Sequence, residues 1–492
     1  MISGYRPLTV PSWVEKAVFY QIFPERFANG DPTNDPPGVL AWGEEPGETT
    51  FFGGDLQGII EHLDYLGDLG ITALYLNPIF ASVSPHKYDT CDYYQIDSHF
   101  GDERVFKRLV GLLHDRKIKI ILDGVFNHVG DEFWAFQDVI KRGTASPYVE
   151  WFHIYSFPVR RSPRPTYAAW WGFPDLPKLN TDNPVVQRYL FNAVSFWMKE
   201  FQIDGWRLDV PNEVSHTFWR KFREIVKQIN PEAFILGEIW TIGTPWLQGD
   251  QFDSITHYQF RDVVLNFFAR KRIDAGEFHA QLLGFQKTYP PKVQRGLINL
   301  LGSHDTERIA TIFLRAAGGD ISSSKVVSFS GYLRMKAALL FQFTYPGVPL
   351  IYYGDEIGML GEEGPACRRP MIWEKEKHNQ ELFAYYKDLI KLRNTYFALQ
   401  HGNFLPLCYH RKKNFYVFAR QREEENEEVI IVLNNNDWKQ TISFPVHRLR
   451  APERKLWKDF FSGEIFTVQN GKVIVENVDG NSGLALVPIK SS

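Results

Sequence analysis

Cysteine is scarce in this sequence: Cys91, Cys367 and Cys408 are the only three among 492 residues. An odd, sparse set without metal-ligand spacing argues for free thiols in a reducing compartment. Long apolar runs are also missing. No stretch is long and apolar enough to span a bilayer, and the opening Met1-Ile2-Ser3-Gly4-Tyr5-Arg6-Pro7 lacks the apolar core of a signal peptide. A cytoplasmic protein is therefore expected, with no membrane partner. An excess of either charge is lacking as well. The formal net charge is only −3, which gives no electrostatic ground for binding nucleic acid or acidic membranes.

What is plentiful is aromatic: 15% of residues, with 14 Trp and 22 Tyr. Most must be core, but aromatic faces also pack on the apolar faces of pyranose rings. The remaining composition, 44% hydrophobic and 23% charged, is that of a soluble globular protein. The length calls for two or three structural units.

Apolar runs alternate with amphipathic ones along the chain. Ala17–Phe23 reads as a strand, and Leu56–Leu69 as a helix through Ile59, Ile60, Leu63 and Leu66, stopped at Gly70. Ile71–Leu76 is a strand, Val105–Leu113 a helix and Ile118–Leu122 a strand. A Trp- and Pro-rich stretch from Val129 to Asp182 interrupts the period and reads as a functional insertion. Asn183-Pro184 then supplies an N-cap with proline at the first helical position. Further strands are expected at Gly205–Val210, Ala233–Trp240, Ser254–Phe260, Gly296–Leu301 and Gly347–Tyr353, with helices at Gly331–Phe343 and Leu382–Leu399. About eight strand–helix units imply parallel strands with helical crossovers, the count of a (β/α)₈ TIM barrel. After Gly402 short runs such as Val429–Leu433, Gln440–Phe444 and Lys472–Glu476 predict an antiparallel β-sandwich. The expected organisation is an α/β barrel over residues 1–128 and 183–401, a short inserted domain at 129–182 after strand 3, and a C-terminal sandwich at 402–492.

Barrel enzymes carry their catalytic groups at the C-terminal ends of strands, and four places here have that character. Ile121-Leu122 leads into Asp123-Gly124-Val125-Phe126-Asn127-His128, and Leu300 into Leu301-Gly302-Ser303-His304-Asp305. Arg207 and Asp209 lie two apart, so on a strand they share a face. A guanidinium beside a carboxylate keeps it ionised, as a carboxylate nucleophile requires; a structural ion pair would read the same. Glu238 ends the next strand.

Asp123-Gly-Val-Phe-Asn-His, Gly205-Trp-Arg-Leu-Asp, Gly237-Glu-Ile-Trp and Ser303-His-Asp resemble the four ordered signature regions of the α-amylase family of glycoside hydrolases. Tyr20-Gln-Ile-Phe-Pro-Glu-Arg-Phe and Gly347-Val-Pro-Leu-Ile-Tyr-Tyr-Gly-Asp-Glu extend the resemblance to nearly the whole chain. Leu176-Pro-Lys-Leu-Asn180 and Asp209-Val-Pro-Asn-Glu213 resemble the branch holding neopullulanase, cyclomaltodextrinase and maltogenic amylase. The resemblance implies that Asp209 is the nucleophile, Glu238 the general acid/base and Asp305 the third carboxylate. It also implies that Tyr88, His128 and His304 hold the reacting sugar. Asn212, Glu213 and Trp240 join Arg207 as substrate-site candidates, while Asp123 and Asn127 are expected to support the site. The implied activity is retaining cleavage of α-1,4-glucosidic bonds in cyclodextrins, pullulan and maltooligosaccharides or starch, through a covalent glycosyl-enzyme and with some transglycosylation. The other reading is a 4-α-glucanotransferase or glucosyl isomerase using the same carboxylates. No catalytic cofactor is expected.

Asn29, Asp31, Asn34 and Asp35 pack oxygen donors into one turn-rich loop, and Gly53-Gly54-Asp55 follows. Hard oxygen ligands at this spacing suit Ca²⁺, and the residues resemble a structural calcium loop of the same branch. A polar loop of Asx-turns is the alternative. Two departures stand out. Relatives in this branch carry a separate N-terminal β-domain that helps form a homodimer, for which the sequence before Ala17 has no room, so dimerisation is left open. Thr241 also stands where the branch commonly has His.

Overall fold

A computed structural model describes residues 10–319, 329–422, 427–449 and 456–489. Eight short strands form the barrel sheet: β1 (Phe19–Ile22), β2 (Ala73–Leu76), β3 (Lys119–Gly124), β4 (Gly205–Leu208), β5 (Phe234–Gly237), β6 (Ser254–Ile255), β7 (Ile298–Leu300) and β8 (Val348–Tyr352). They run parallel in the order β6-β5-β4-β3-β2-β1-β8-β7. Strands β1, β2, β4 and β5 are buried along their whole length, as expected where helices cover a parallel sheet.

The chain divides into two compact units. In the first, which contains Phe19–Thr256, β3 and β4 pair so that Asp123 lies opposite Arg207. Between β4 and β5, Arg207 lies opposite Leu236. Adjacent strand ends thereby deliver Asp123, Asp209 and Glu238. Asn183 caps the helix Pro184–Glu200 by accepting from the Val185 backbone N–H at 2.8 Å, with Pro184 at the first position.

The second unit contains His257–Glu363 and the C-terminal chain. Backbone N–H of His257, two residues past β6, donates to the Ile298 carbonyl at 2.8 Å. Beyond the barrel come β9 (Asn403–His410), β10 (Phe415–Arg422), β11 (Glu427–Asn434), β12 (Gln440–Pro445), β13 (Leu456–Asp459), β14 (Ile465–Gln469), β15 (Lys472–Val478) and β16 (Ser482–Pro488). These strands form an eight-stranded antiparallel arrangement around Val417, Val432, Phe444, Trp457 and Val473.

Several element boundaries differ from expectation. The helix expected over Leu56–Leu69 is two, Leu56–Glu61 and Leu63–Leu69, because His62 leaves helical geometry and its ring contacts the Gly58 carbonyl at 2.8 Å. Gly70 does end it, at φ 93°. The strand expected over Ser254–Phe260 stops at Ile255, and Tyr258–Val264 is helical; Tyr258, Phe260, Arg261, Val263 and Val264 are its buried residues. The helix expected over Leu382–Leu399 ends at Thr395, and a short turn of helix follows at Ala398–His401. Inside the insertion lies a helix, Trp134–Arg142, that the aromatic-rich sequence concealed. Isolated antiparallel bridges His128–Lys178, Phe152–Leu179, Ile154–Tyr167 and Ala169–Pro177 tie the rest together. Among the described residues no helix is long and apolar enough to cross a membrane.

Candidate active site

Arg207 organises the first unit. Only 2% of it is exposed, so its charge must be met by protein groups. Nη1 donates to Asp123 at 2.7 and 2.9 Å and to Asp209 Oδ1 at 2.8 Å. Nη2 lies 2.8 Å from Glu238 Oε1. Burial acts to lower the Arg207 pKa, but the charges of Asp123 and Glu238 outweigh it and hold the guanidinium well above its ordinary value. One permanently charged fork therefore serves three buried carboxylates. Glu238 thus stands beside two other acids and is itself ion-paired to the cation. The Val210 N–H also reaches Glu238 Oε2 at 3.4 Å.

Behind Arg207 a chain of hydrogen bonds fixes its position. Gln21 Nε2 donates to Asn77 Oδ1 at 2.9 Å, and Asn77 Nδ2 to Tyr88 Oη at 2.8 Å. Tyr88 and Tyr75 then donate to Asp123 Oδ2 at 2.9 and 2.7 Å. Burial pushes the Asp123 carboxyl up, against the pull of Arg207. Asp123 thus anchors the guanidinium, as its expected supporting role implies. Tyr75 was missed: it reads as one more aromatic in an apolar strand, and nothing in its spacing marks the hydroxyl. The rings of Tyr75 and Tyr88 also lie 5.8 and 5.9 Å from the Arg207 guanidinium carbon, within cation–π range. Tyr88 remains half-buried, so part of its ring is open to a ligand.

Val210, next to Asp209, holds φ 42° and ψ 45°. A β-branched residue in the left-handed region is strained, and such strain persists only where surrounding structure imposes it. It turns the chain sharply after Asp209 into the turn Pro211–Glu213. Asn212 and Glu213 lie on the surface there, and Glu213 pairs with Lys178 Nζ at 2.9 Å. Trp240 is 48% exposed.

His128 is fully buried, yet its Nε2 has no hydrogen-bond partner. Burial, aided by the charges of His86 and Lys178, pushes its pKa down to about 3. The ring is therefore neutral, with one nitrogen left for a ligand hydroxyl. This has a consequence for stability. An unfolded histidine takes up its proton near pH ~6.5, whereas the folded one resists until about 3. The folded state is thus favoured fully above pH ~6.5 and loses that advantage as pH falls toward 3. We expect the melting temperature of His128→Gln to fall less than that of the native protein as pH drops through this window. Parallel curves in thermal melts would contradict it.

In the second unit, His304 is buried and its Nε2 lies 3.0 Å from Asp305 Oδ2. Ser303 Oγ accepts from the Asp305 N–H at 3.3 Å, and Thr306 Oγ1 from the Ser303 N–H at 3.1 Å. Beneath that loop, a Cβ on Gly302 would strike Asp355 Oδ2. Asp355 in turn pairs with buried Arg308 at 3.1 Å. The loop after β7 is therefore held from below by a buried ion pair.

The candidate metal residues form one cluster in the first unit. Asn29 Nδ2 donates to Asp35 Oδ1 at 2.8 Å, and Asn34 Nδ2 to Asp55 Oδ2 at 3.2 Å. Both amide oxygens, Asn29 Oδ1 and Asn34 Oδ1, are buried without a partner. Gly53 has φ 78°, and the space a Cβ would need there is taken by Asp35 Oδ1 and Asn29 Nδ2. Asp55 accepts from the N–H groups of Gly30, Asp31 and Gly58 at 3.1, 2.9 and 2.6 Å. Asp31 accepts from Thr33 in an Asx-turn. Two orphaned buried oxygens beside carboxylates fit a hard cation. Among the described residues no group of three or more His, Cys, Asp or Glu could hold a metal, so any ion here relies on the asparagines.

A model of the α-amylase catalytic domain matches residues 21–380. A cyclomaltodextrinase of Geobacillus thermopakistaniensis is 51% identical over 411 residues, 83% of this chain and 67% of that protein. Neopullulanase 2 of Thermoactinomyces vulgaris is 50% identical over 461 residues, 93% of this chain and 75% of that protein. Among solved structures, the cyclic α-maltosyl-(1→6)-maltose hydrolase of Arthrobacter globiformis in complex with that sugar superposes with TM-score 0.85 at 35% identity, covering 97% of this chain and 99% of that one.

Proposed function

The chain belongs to the α-amylase family, as a glycosidase of cyclomaltodextrinase and neopullulanase type, and from that premise we propose that it cleaves α-1,4-glucosidic bonds of cyclodextrins and related α-glucans with retention of configuration. The observation that carries the reading is the single guanidinium of Arg207 shared by Asp209 and Glu238. Two carboxylates on one fork suit the ~5–5.5 Å gap of a retaining pair better than the ~6.5–9.5 Å gap of an inverting one.

Asp209, held ionised by Arg207, attacks the anomeric carbon and forms a glycosyl ester as the glycosidic C–O bond breaks. Glu238, protonated for this step while Oε1 keeps its contact with Arg207 Nη2, gives that proton to the departing oxygen. In the second half Glu238 takes a proton from water, whose oxygen displaces Asp209 from the opposite face and restores the α configuration. A sugar hydroxyl in place of that water yields transglycosylation, and the exposed Trp240 offers an acceptor a ring to pack against. Neutral His128 directs Nε2 to a hydroxyl of the reacting sugar, and Tyr88 stacks on the same ring. Asp305 and His304 are assigned the third-carboxylate and sugar-binding roles by family resemblance.

Ca²⁺ is proposed as a structural ion of the Asn29–Asp35 loop, held by Asn29, Asn34 and Asp35 with the Gly53 and Asp55 turn. It would supply the positive charge that the two orphaned amide oxygens lack. Adding Ca²⁺ to chelator-treated protein should raise its melting temperature, and Asn29→Leu should remove most of that rise. An equal rise in both proteins would place the ion elsewhere.

Initial rates on β-cyclodextrin, pullulan and soluble starch, with products separated by chain length, test the activity. Fast ring opening of the cyclodextrin is expected. Disproportionated oligosaccharides without net hydrolysis would favour a transferase instead.

A further inference from the structure

The inserted segment carries a stack of flat rings that leads outward from His128. The His128 and Trp170 rings are stacked at 5.3 Å and 21°, and Trp170 and Trp171 at 5.1 Å and 18°. Phe173 lies 6.1 Å from Trp170. Trp171 is 78% exposed and Phe173 52%, so the stack ends in open indole.

Such exposure is not a by-product of a loose loop. Trp171 sits at φ 48°, strained for so bulky a residue, and the turn is tied down on both sides. The Gly172 and Phe173 N–H groups donate to Ala169 and Trp170 carbonyls at 3.1 and 3.0 Å. Trp170 N–H donates to Leu176 O at 2.9 Å, and Tyr167 Oη to Pro174 O at 2.6 Å. A rigid, exposed, flat indole matches the apolar face of a pyranose.

We propose that Trp171 is a distal stacking platform for the glucan, a specificity residue that favours long or cyclic chains over short ones. This rests on the α-glucan reading given above, because the ring stack is continuous with His128, the residue assigned to the reacting sugar. A chain bound at His128 passes along the stack, and a further glucosyl unit packs on the outer face of Trp171. A sugar that occupies only the His128 end does not touch the platform.

Calorimetric titration of maltotriose and maltoheptaose into Asp209→Asn protein, with and without Trp171→Ala, separates the possibilities, since binding then needs no turnover. The preference for maltoheptaose over maltotriose should fall by about tenfold in Trp171→Ala and return to within about twofold in Trp171→Phe, the scale of one lost apolar contact in a sugar site. An unchanged preference in Trp171→Ala would overturn the platform and leave the α-glucan reading standing. Equal weakening of both sugars would also overturn it. No binding of either sugar to protein with native Trp171 would sink the glucan reading and the platform with it. Sedimentation of the same proteins covers the remaining outcome: a mass that falls on Trp171→Ala would make this face a contact between copies of the chain and overturn the proposal.

Discussion

Asp209→Asn lowers kcat on β-cyclodextrin by about 10⁴-fold or more, the scale of losing a nucleophile. The fold should survive. Asn keeps the shape and an oxygen that can accept from Arg207 Nη1, now 2.8 Å from Asp209 Oδ1, while Asp123 and Glu238 still balance the cation. What disappears is the anionic oxygen that forms the ester. Melting temperature should therefore change little while the initial rate collapses. A variant with native rates would remove Asp209 from the chemistry.

Arg207→Met has the second large effect, and its cost falls on stability as well as rate. Asp123, Asp209 and Glu238 are 1%, 6% and 5% exposed, and removing the one guanidinium leaves three carboxylates buried together. Breaking a buried ion pair from one side costs about 3–5 kcal/mol. A clear fall in melting temperature is expected, together with loss of turnover. Lysine at this position restores a charge but not a planar fork with two nitrogens. Arg207→Lys should therefore melt above Arg207→Met yet remain at least ~10²-fold slower than the native enzyme, since one ammonium cannot orient both reacting carboxylates. If Arg207→Met melted like the native protein, the guanidinium would not be balancing these acids.

How much of this was legible in the sequence differs from residue to residue. Asp209 and Glu238 were visible because each ends an apolar run, and a period of two put Arg207 on the face of Asp209. The Arg207–Glu238 pair was not visible. It depends on β4 and β5 being neighbours in register and on the reach of a buried side chain, neither of which local pattern encodes. Tyr75 was hidden for a related reason, since an aromatic in a buried strand is ordinary until its hydroxyl is seen to meet Asp123. The stack beyond His128 was hidden too. Trp170 and Trp171 lie in a stretch without periodicity, and only the turn at Trp171 brings the two indoles face to face. The barrel itself was legible from alternation, whereas its irregular points were not. His62 breaks a helix whose apolar spacing continues across it, and the helix after β6 begins where an apolar run looked like more strand. The metal loop was readable as a set of oxygen donors, but the two amide oxygens left without partners emerge only from packing around Gly53.

The most direct measurement of the central claim is the anomeric configuration of the first product. Proton NMR during the first turnovers on a cyclodextrin, before mutarotation mixes the anomers, should show the α-anomer of the new reducing end appearing first and the β-anomer growing in later. That order requires two displacements, as a glycosyl ester on Asp209 with Glu238 acting as acid and then base provides. A β-anomer formed first would mean a single displacement by water, and the Asp209–Glu238 assignment derived from the shared guanidinium would be wrong.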